Sequence, residues 1–582
     1  MSDPGFFLIG LVLFFLLAAV AGIINARREE AAFREKLRSS YGGPPMKKYS
    51  PEQIARIPRY FEKHRDAASW PVDDITAVDL DLWSLYARIN YCLSAAGEEV
   101  LYHLLRTPLY EKKQLAKREE ELSWLSVNGQ ARLDLQAAFH TLGGSGKYSV
   151  YDYLDTLKLI DRKSNLPHYL GVLAIIAAAA LMPFQFAAGF ILLLAVILWQ
   201  IISYYRAKNE SDAYLSTFSY ILRLNGCAQR IKSILEREDE LPEPSKERLT
   251  TLDHCMSSLK DFRKGASVLM SSSRMSGSGN PADLIADYIR MLLHVDLIKF
   301  NQMVREAGKR SGEIDRLITA LGELEALISI VCYRASLDRI DDNTWCVPAF
   351  HEDKQLTVRE LRHVLIEEGA VPNSISVTRD VLLTGSNASG KSTWLKALGL
   401  AAVMAQTVHT VTAASYESFF CRTYSSMALQ DDLQAGESYY IVEIRALGRI
   451  LQAAEEEQAP VILCFIDEVL RGTNTIERIA ASAQILRYFA GKRALLFAAT
   501  HDTELTTLLE GLYDNYHFEG TLTEEDVHFD YLLKEGPSVT RNAIGLLRRF
   551  SYDPEITKRA EAMATHFIRT GEWVADPAEA GS

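Results

Sequence analysis

The chain is poor in cysteine and carries no surplus of positive charge, and each shortage excludes a class of function. Its seven cysteines among 582 residues form no Cys-x-x-Cys pair and no zinc-ligand spacing. Cys332 and Cys464 fall inside apolar runs, which suits reduced thiols in a core rather than a disulfide framework. No nucleophile triad stands out. The net charge of −12 excludes broad electrostatic attraction as the basis for holding nucleic acid. The basic clusters, such as Arg263-Lys264 and Arg548-Arg549, are small and read as solvated surface. There is no internal repeat. With 48% hydrophobic residues and this length, the chain divides into three or four domains.

Charge is also missing locally, in two places. Phe6 to Ile24 contains nothing more polar than glycine, about one bilayer span at ~1.5 Å per residue. A cleaved signal peptide would carry basic residues ahead of its apolar core. Here Arg27, Arg28, Arg34 and Lys36 follow it, which points to a retained anchor with its C-terminal side in the cytoplasm. From Ser164 to Tyr205 there is no Asp, Glu, Lys or Arg. Tyr169 to Ile202 as one helix would be about 51 Å long, beyond a ~30 Å hydrocarbon core. Pro183 and Gln185 sit at its middle, so the expectation is a hairpin of two spans, His168–Met182 and Phe186–Tyr204. Arg162-Lys163 before it and Arg206 and Lys208 after it mark the cytoplasmic side. The competing reading is a pair of buried core helices. Ser271 to Pro281 reads as a flexible linker, and Gly571 to Ser582 as a loose tail.

The chemistry is concentrated in the last third. Gly385-Ser386-Asn387-Ala388-Ser389-Gly390-Lys391-Ser392 matches G-x-x-x-x-G-K-[ST], between the apolar run Val381-Leu382-Leu383-Thr384 and the helix-forming Trp394-Leu395-Lys396-Ala397-Leu398. Glycines let backbone N–H groups curl around phosphates, and the helix start adds positive potential. Lys391 supplies a point charge and Ser392 a Mg²⁺ ligand. Pro460 to Ile466 is a continuous apolar run, as in a strand buried on both faces, and it ends in Asp467-Glu468. The first carboxylate is placed to hold Mg²⁺ and the second to activate water. Arg493 to Thr500 reads as the next strand, with His501 at its tip, where a histidine could sense a γ-phosphate or position water.

These residues resemble the MutS family. Thr384 to Thr393 is similar to the phosphate loop TGPNMxGKST. Asp431-Asp432-Leu433-Gln434-Ala435-Gly436-Glu437-Ser438-Tyr439-Tyr440 resembles the signature DDLxxGxSTF, and Glu443 continues it. Asp467 to Thr475 resembles DExxRGTST, and Ala499-Thr500-His501 resembles the family's ATH. The order and spacing agree over about Arg362 to Ala560. The resemblance implies an ABC-like ATPase domain that dimerises head to tail. Ser438 of one subunit would face the γ-phosphate held by Lys391 of the other, and Asn387 would contact that phosphate in its own loop. Val371-Pro372-Asn373 resembles the segment that holds adenine, although Ala370 stands where family members often carry an aromatic. Weaker similarity to the helical lever domain runs through Asp79-Leu80-Asp81-Leu82, Ser94-Ala95-Ala96-Gly97 and Leu321 to Leu327. The family's mismatch-reading domain does not fit in the residues before Asp79, so recognition by its Phe-x-Glu wedge is expected to be absent. The hairpin falls where relatives carry the DNA-gripping clamp.

The resulting expectation is an α/β P-loop NTPase domain preceded by an all-α lever, with three transmembrane helices. The segments are an anchor (1–28), the first lever part (29–165), a membrane hairpin (166–205), the second lever part (206–345), the ATPase domain (346–570) and a tail (571–582). ATP with Mg²⁺ would be held by Gly385 to Thr393, Val371 and Asn373, with Ser392 and Asp467 on the metal. Lys391, Glu468 and His501 would serve hydrolysis. The expected partners are a second copy of the chain through the ATPase domains, DNA by resemblance, and membrane lipid, with no zinc. The expected location is a bacterial-type inner membrane, multi-pass, with lever and ATPase cytoplasmic. The expected work is DNA repair or recombination. A membrane transport or remodelling engine, and an ATP-gated tether, are the alternatives.

Overall fold

The structure is a computed structural model. It describes residues 27–260, 291–427 and 439–574, apart from short gaps at 46, 147, 150, 153–154, 156–163, 341–343, 387–388, 472, 523–526 and parts of 539–551, together with 21, 24 and 25. The linker at Ser271 to Pro281, nearly all of the first apolar run, and Asn387, Ala388 and Ser438 lie outside the described residues. The chain forms two compact units. One comprises residues 1–67, 89–104 and 116–339; the other comprises 68–88, 105–115 and 340–582.

The first unit is helical. Its helices include α1 (Ala95–Arg106), α2 (Gly129–Leu142), α3 (Leu166–Leu181), α4 (Phe186–Leu235), α5 (Glu243–Ser258), α6 (Val295–Lys309) and α7 (Ser311–Leu337). The two lever-like segments meet at the start of α1. Glu325 of α7, 2% exposed, accepts hydrogen bonds from the backbone N–H of Leu93 at 2.5 Å and Ser94 at 3.0 Å, and from the Ser94 hydroxyl. A buried carboxylate thus satisfies the free donors of a helix N-terminus. Burial still pushes the Glu325 carboxyl up to about 7, against those hydrogen bonds. The approach needs glycine, because a Cβ on Gly97 would lie 2.1 Å from Glu325 Oε2.

Of the three expected spans, the first, Phe6–Ile24, lies almost wholly outside the described residues, and the hairpin pair is corrected. Among the described residues one helical stretch, Phe186–Arg206 at the start of α4, is long and apolar enough to cross a membrane. Its partner α3 is apolar but has only 16 residues, about 24 Å, which falls short of a ~30 Å core. The chain turns at 182–185, at the expected Pro183 and Gln185. The second helix does not stop at Tyr204 but runs on to Leu235.

Among the described residues the second unit contains ten strands. β1 (Ala349–His351), β2 (Leu356–Leu361), β3 (Asn373–Val377) and β5 (Ser415–Phe419) form a four-stranded sheet in the order β1-β5-β2-β3. β4 (Asp380–Thr384), β6 (Cys421–Ser426), β7 (Val461–Asp467), β8 (Ala494–Thr500), β9 (Tyr513–Leu522) and β10 (Val527–Glu535) form the larger sheet, in the order β10-β9-β4-β8-β7-β6. All its neighbours are parallel except the edge pair β9–β10. Every residue of β4 and β8 is buried, as both-faces-covered parallel strands require. Helix α8 (Lys391–Thr407) follows β4, α9 (Tyr439–Ala454) precedes β7, and α10 (Thr475–Phe489) follows it. Leu447, Ile450, Leu486 and Phe489 of α9 and α10 pack with Ile462, Cys464, Ile466 and Leu496 into one core.

Residues 68–88 and 105–115 complete this unit. The Asp79 carboxylate, 2% exposed, accepts from the Ser425 hydroxyl at 2.7 Å and the Met427 N–H at 2.9 Å. The Ser425 N–H donates to Thr76 Oγ1 at 3.1 Å. Gln406 and Leu109 exchange two hydrogen bonds, at 2.8 and 3.1 Å. Leu80 lies over Gly399 of α8, where any Cβ would come within 2.6 Å of it.

Candidate active site

Strand register brings the motifs together. Thr384 of β4 pairs with Thr500 of β8, and Ala499 of β8 pairs with Asp467 of β7. The C-terminal tips of three adjacent parallel strands therefore end at one level. The phosphate loop leaves the first, His501 follows the second, and Asp467-Glu468 closes the third. Ligands bind at this edge of an open parallel sheet because loops and helix N-termini converge there. A cavity of about 560 Å³ occupies the place. Val371, Asn373, Ser389, Gly390, Lys391, Ser392, Thr393, Asp467, Glu468 and His501 all line it. Gly385 and Ser386 contribute backbone carbonyls beside it.

The loop geometry depends on glycine at two positions. Gly385 has φ 145°, and a Cβ there would sit 2.6 Å from the Phe518 carbonyl oxygen. Gly390, with φ 107°, is the N-cap of α8, so the first free N–H groups of a 17-residue helix face the cavity. Lys391 Nζ is 5% exposed with its residue and donates to the loop's own carbonyls, Gly385 O at 2.8 Å and Ser386 O at 3.0 Å. Burial pushes the ammonium down to about 8, although the Asp467 and Glu468 carboxylates pull it up. The buried hydroxyls of Ser386 and Ser389 have no hydrogen-bond partner among the described residues. A cation folded back on carbonyls and unpaired hydroxyls in one loop fit an anion rich in oxygens.

The carboxylates are held from two sides. Glu468 Oε1 lies 2.5 Å from His501 Nε2, and Glu468 Oε2 lies 2.7 Å from Arg471 Nε. His501 Nδ1 is 3.0 Å from Gly385 O. A carbonyl only accepts, so Nδ1 is the donor to Gly385 O. Burial pushes the Glu468 carboxyl up. The bond to His501 and the charges of His501, Arg471 and Lys391 outweigh it, leaving the group below the usual carboxylate range. Arg471 also donates to the Asp467 carbonyl at 2.9 Å and lies 3.5 Å from Asp467 Oδ2. Ser392 and Asp467 are oxygen donors on the same cavity wall, the donor type that a hard divalent cation takes.

The structure adds residues to which the motifs assign no role. Tyr531 and Phe518 line the cavity. Tyr531 sits in a register break between Phe529 and Leu533 of β10, with φ 53° and 45% exposure. Its ring lies where a Cβ on Gly390 would meet it at 3.2 Å. Asn373 holds this bulge, donating to Tyr531 O at 2.9 Å and accepting from Leu533 N–H at 2.7 Å. Its amide is thereby committed to protein backbone. Alternating Phe529 and Tyr531 is a strand signal, but the bulge that turns Tyr531 to the cavity has no local sequence signature.

The family model for MutS domain V matches residues 381–567, which contain the phosphate loop, Asp467-Glu468 and His501 but not Val371 or Asn373. The DNA mismatch repair protein MutS of Lactobacillus acidophilus is 33% identical over 248 residues, 40% of this chain and 28% of that protein. The MutS of Methanosarcina acetivorans is 30% identical over 302 residues, 48% of this chain and 32% of the relative. That of Aquifex pyrophilus is 28% identical over 277 residues. The chain thus spans about a third of the length of the curated relatives it matches.

Proposed function

We propose, from the premise that this chain is a MutS-family protein carrying that family's ATPase domain, that it binds and hydrolyses ATP at this cavity to drive conformational change on DNA. The single observation that carries the reading is the convergence of Lys391, Asp467, Glu468 and His501 on one phosphate-sized loop. Lys391 turns from the loop carbonyls to the β- and γ-phosphates, and the α8 N-terminus and the Ser386 and Ser389 hydroxyls take phosphate oxygens. Ser392 and Asp467 are the residues that would hold Mg²⁺, which supplies charge neutralisation at the phosphates when bound. Glu468, released from His501 and Arg471, orients and deprotonates the attacking water, and His501 then faces the γ-phosphate. Tyr531 offers an aromatic face for the base, the role that Ala370 lacks the side chain to fill.

The head-to-tail dimer that the family resemblance implies would set Ser438 of one subunit against the γ-phosphate of the other. Closure on ATP and opening after hydrolysis would then swing the helical lever, a population shift driven by contacts made only to the triphosphate. The relatives' name, DNA mismatch repair protein, supports DNA as the partner. The test is ATP turnover by the purified chain with duplex, mismatched and branched DNA. Stimulation by one of them supports the DNA reading, and turnover indifferent to all DNA favours the transport, remodelling or tether readings.

Membrane attachment through the hairpin is a second reading, favoured by one feature of the surface. Leu173 and Ile176 of α3, and Ile191, Leu194, Leu198, Trp199 and Ile202 of α4, are each 52–68% exposed. Contiguous apolar surface of this kind marks an interface or a lipid contact, and the sequence flanks it with arginine and lysine on both sides. Fractionation of the full chain, and of a chain lacking 166–205, decides it. A wild-type chain found wholly in the soluble fraction contradicts the reading.

A further inference from the structure

We propose that Glu443 is a positioning residue for hydrolysis. It fixes the backbone that presents Glu468 and joins it to the helix that starts one residue after Ser438. The inference rests on the ATPase reading above and adds a part to the same site. Glu443 lies on α9, is 2% exposed, and is not among the residues lining the cavity. Its carboxylate points to the loop after β7. One oxygen accepts from the Leu470 N–H at 2.6 Å, and the other accepts from the Arg471 N–H at 3.0 Å.

That loop needs an external hold. Glu468 and Leu470 both adopt left-handed backbone conformations, with φ of 63° and 60°. Side-chain-bearing residues persist there only where their surroundings over-determine them. Among the described residues the loop's other tethers are the Glu468 N–H, which donates to Ala499 O at 2.9 Å, the Ser482 hydroxyl, which donates to Val469 O at 3.1 Å, and the Arg471 guanidinium, which bonds Asp467 O and ion-pairs with Glu468. Among the described residues no backbone acceptor reaches the two successive N–H groups of Leu470 and Arg471. A carboxylate answers both at once.

The path from Glu443 to the chemistry is short. Its bonded neighbour Arg471 carries the guanidinium that lies 2.7 Å from Glu468 Oε2 and bonds the Asp467 carbonyl. Glu443 also sits on the first turn and a half of α9, which begins at Tyr439. A shift of that helix, whose preceding residue is Ser438, would therefore move the loop backbone, Arg471 and the carboxylate base together. One side chain thus ties α9 to the loop that carries this subunit's own base.

The test compares the full-length wild type with Glu443→Ala and Glu443→Gln, reading amide hydrogen exchange over 468–471, affinity for a fluorescent ATP analogue, and turnover. Glu443→Ala is expected to speed exchange at Leu470 and Arg471 about tenfold or more and to cut kcat by about tenfold or more, with nucleotide affinity within about twofold of wild type. Glu443→Gln keeps one acceptor oxygen and should recover part of both losses. Unchanged exchange overturns the proposal, as does faster exchange with unchanged kcat. A parallel collapse of affinity and kcat in both variants also overturns it, because that marks a purely structural role. Should Glu443→Ala fail to fold, Glu443→Gln alone is read, and exchange and kcat equal to wild type overturn the proposal. A wild-type chain that hydrolyses no ATP contradicts the ATPase reading instead, while exchange still decides whether Glu443 holds the loop.

Discussion

His501 Nε2 lies 2.5 Å from Glu468 Oε1, and the same imidazole reaches Gly385 O through Nδ1 at 3.0 Å. One ring thus links the carboxylate after β7 to the loop after β4. In this arrangement the proposed base is engaged on both oxygens, by His501 and Arg471, and activating water requires it to let go of at least one.

Glu468→Gln preserves the shape of the group and removes its basicity. Nucleotide affinity is expected to stay within about threefold of wild type while kcat falls by about 100-fold or more, the range for loss of a general base. Single-turnover kinetics with radiolabelled ATP measures both. Turnover near wild type would show that another group prepares the water.

The position of Lys391 predicts a pH effect with a definite sign. Its ammonium is pushed down to about 8 by burial. Bound phosphates favour the charged form, so binding draws in a proton where the free site has lost one. Apparent ATP affinity should be flat below about pH 8 and fall by up to about tenfold per pH unit above it. For the nucleotide-free fold the sign is opposite. A lysine whose folded value lies below its unfolded value of 10.5 penalises the fold fully below about 8, and stability rises between about 8 and 10.5. Calorimetric titration in two buffers of different ionisation enthalpy counts the proton taken up on binding. No uptake at pH 8.5 would contradict the assignment.

Tyr531→Ala removes the aromatic wall without touching the phosphate loop's own residues. Loss of a stacking partner costs about 1–1.5 kcal/mol, so KM for ATP should rise roughly tenfold with kcat little changed. Steady-state kinetics against ATP and GTP checks this, and an unchanged KM would place the base elsewhere.

Asp79 tests the association of residues 68–88 with the ATPase unit. Asp79→Ala leaves the Ser425 hydroxyl and the Met427 N–H without their buried acceptor, at an expected cost of about 2–3 kcal/mol. Denaturant unfolding measures it. A change below about 0.5 kcal/mol would show that water replaces the carboxylate.

The contrast between these residues shows which parts of the molecule were legible in the sequence. Gly385 to Ser392, Asp467-Glu468 and His501 each stand at the end of an apolar run that reads as a buried strand, so local pattern places them at strand tips. Parallel packing then brings the tips to one level. Asp79 and Ser425 are separated by 346 residues, and nothing local joins them, so the contribution of 68–88 to the second unit was not readable. Tyr531 depends on a bulge in β10, and the tie from Glu443 to Leu470 depends on two left-handed residues without glycine; neither has a sequence signature. The hairpin turn at Pro183 was legible because proline interrupts an apolar run. The continuation of α4 to Leu235 was not, because the apolar pattern ends at Tyr205 while the helix does not.

The most direct test is equilibrium binding of ATP with Mg²⁺ to the full chain and to Lys391→Ala, with thermal unfolding to verify that both are folded. The wild type is expected to bind saturably, with Lys391→Ala weakened by about 100-fold or more through loss of the phosphate loop's cation, matched to the β- and γ-phosphates. Equal affinity in two folded proteins would contradict the assignment of this cavity as a nucleotide site.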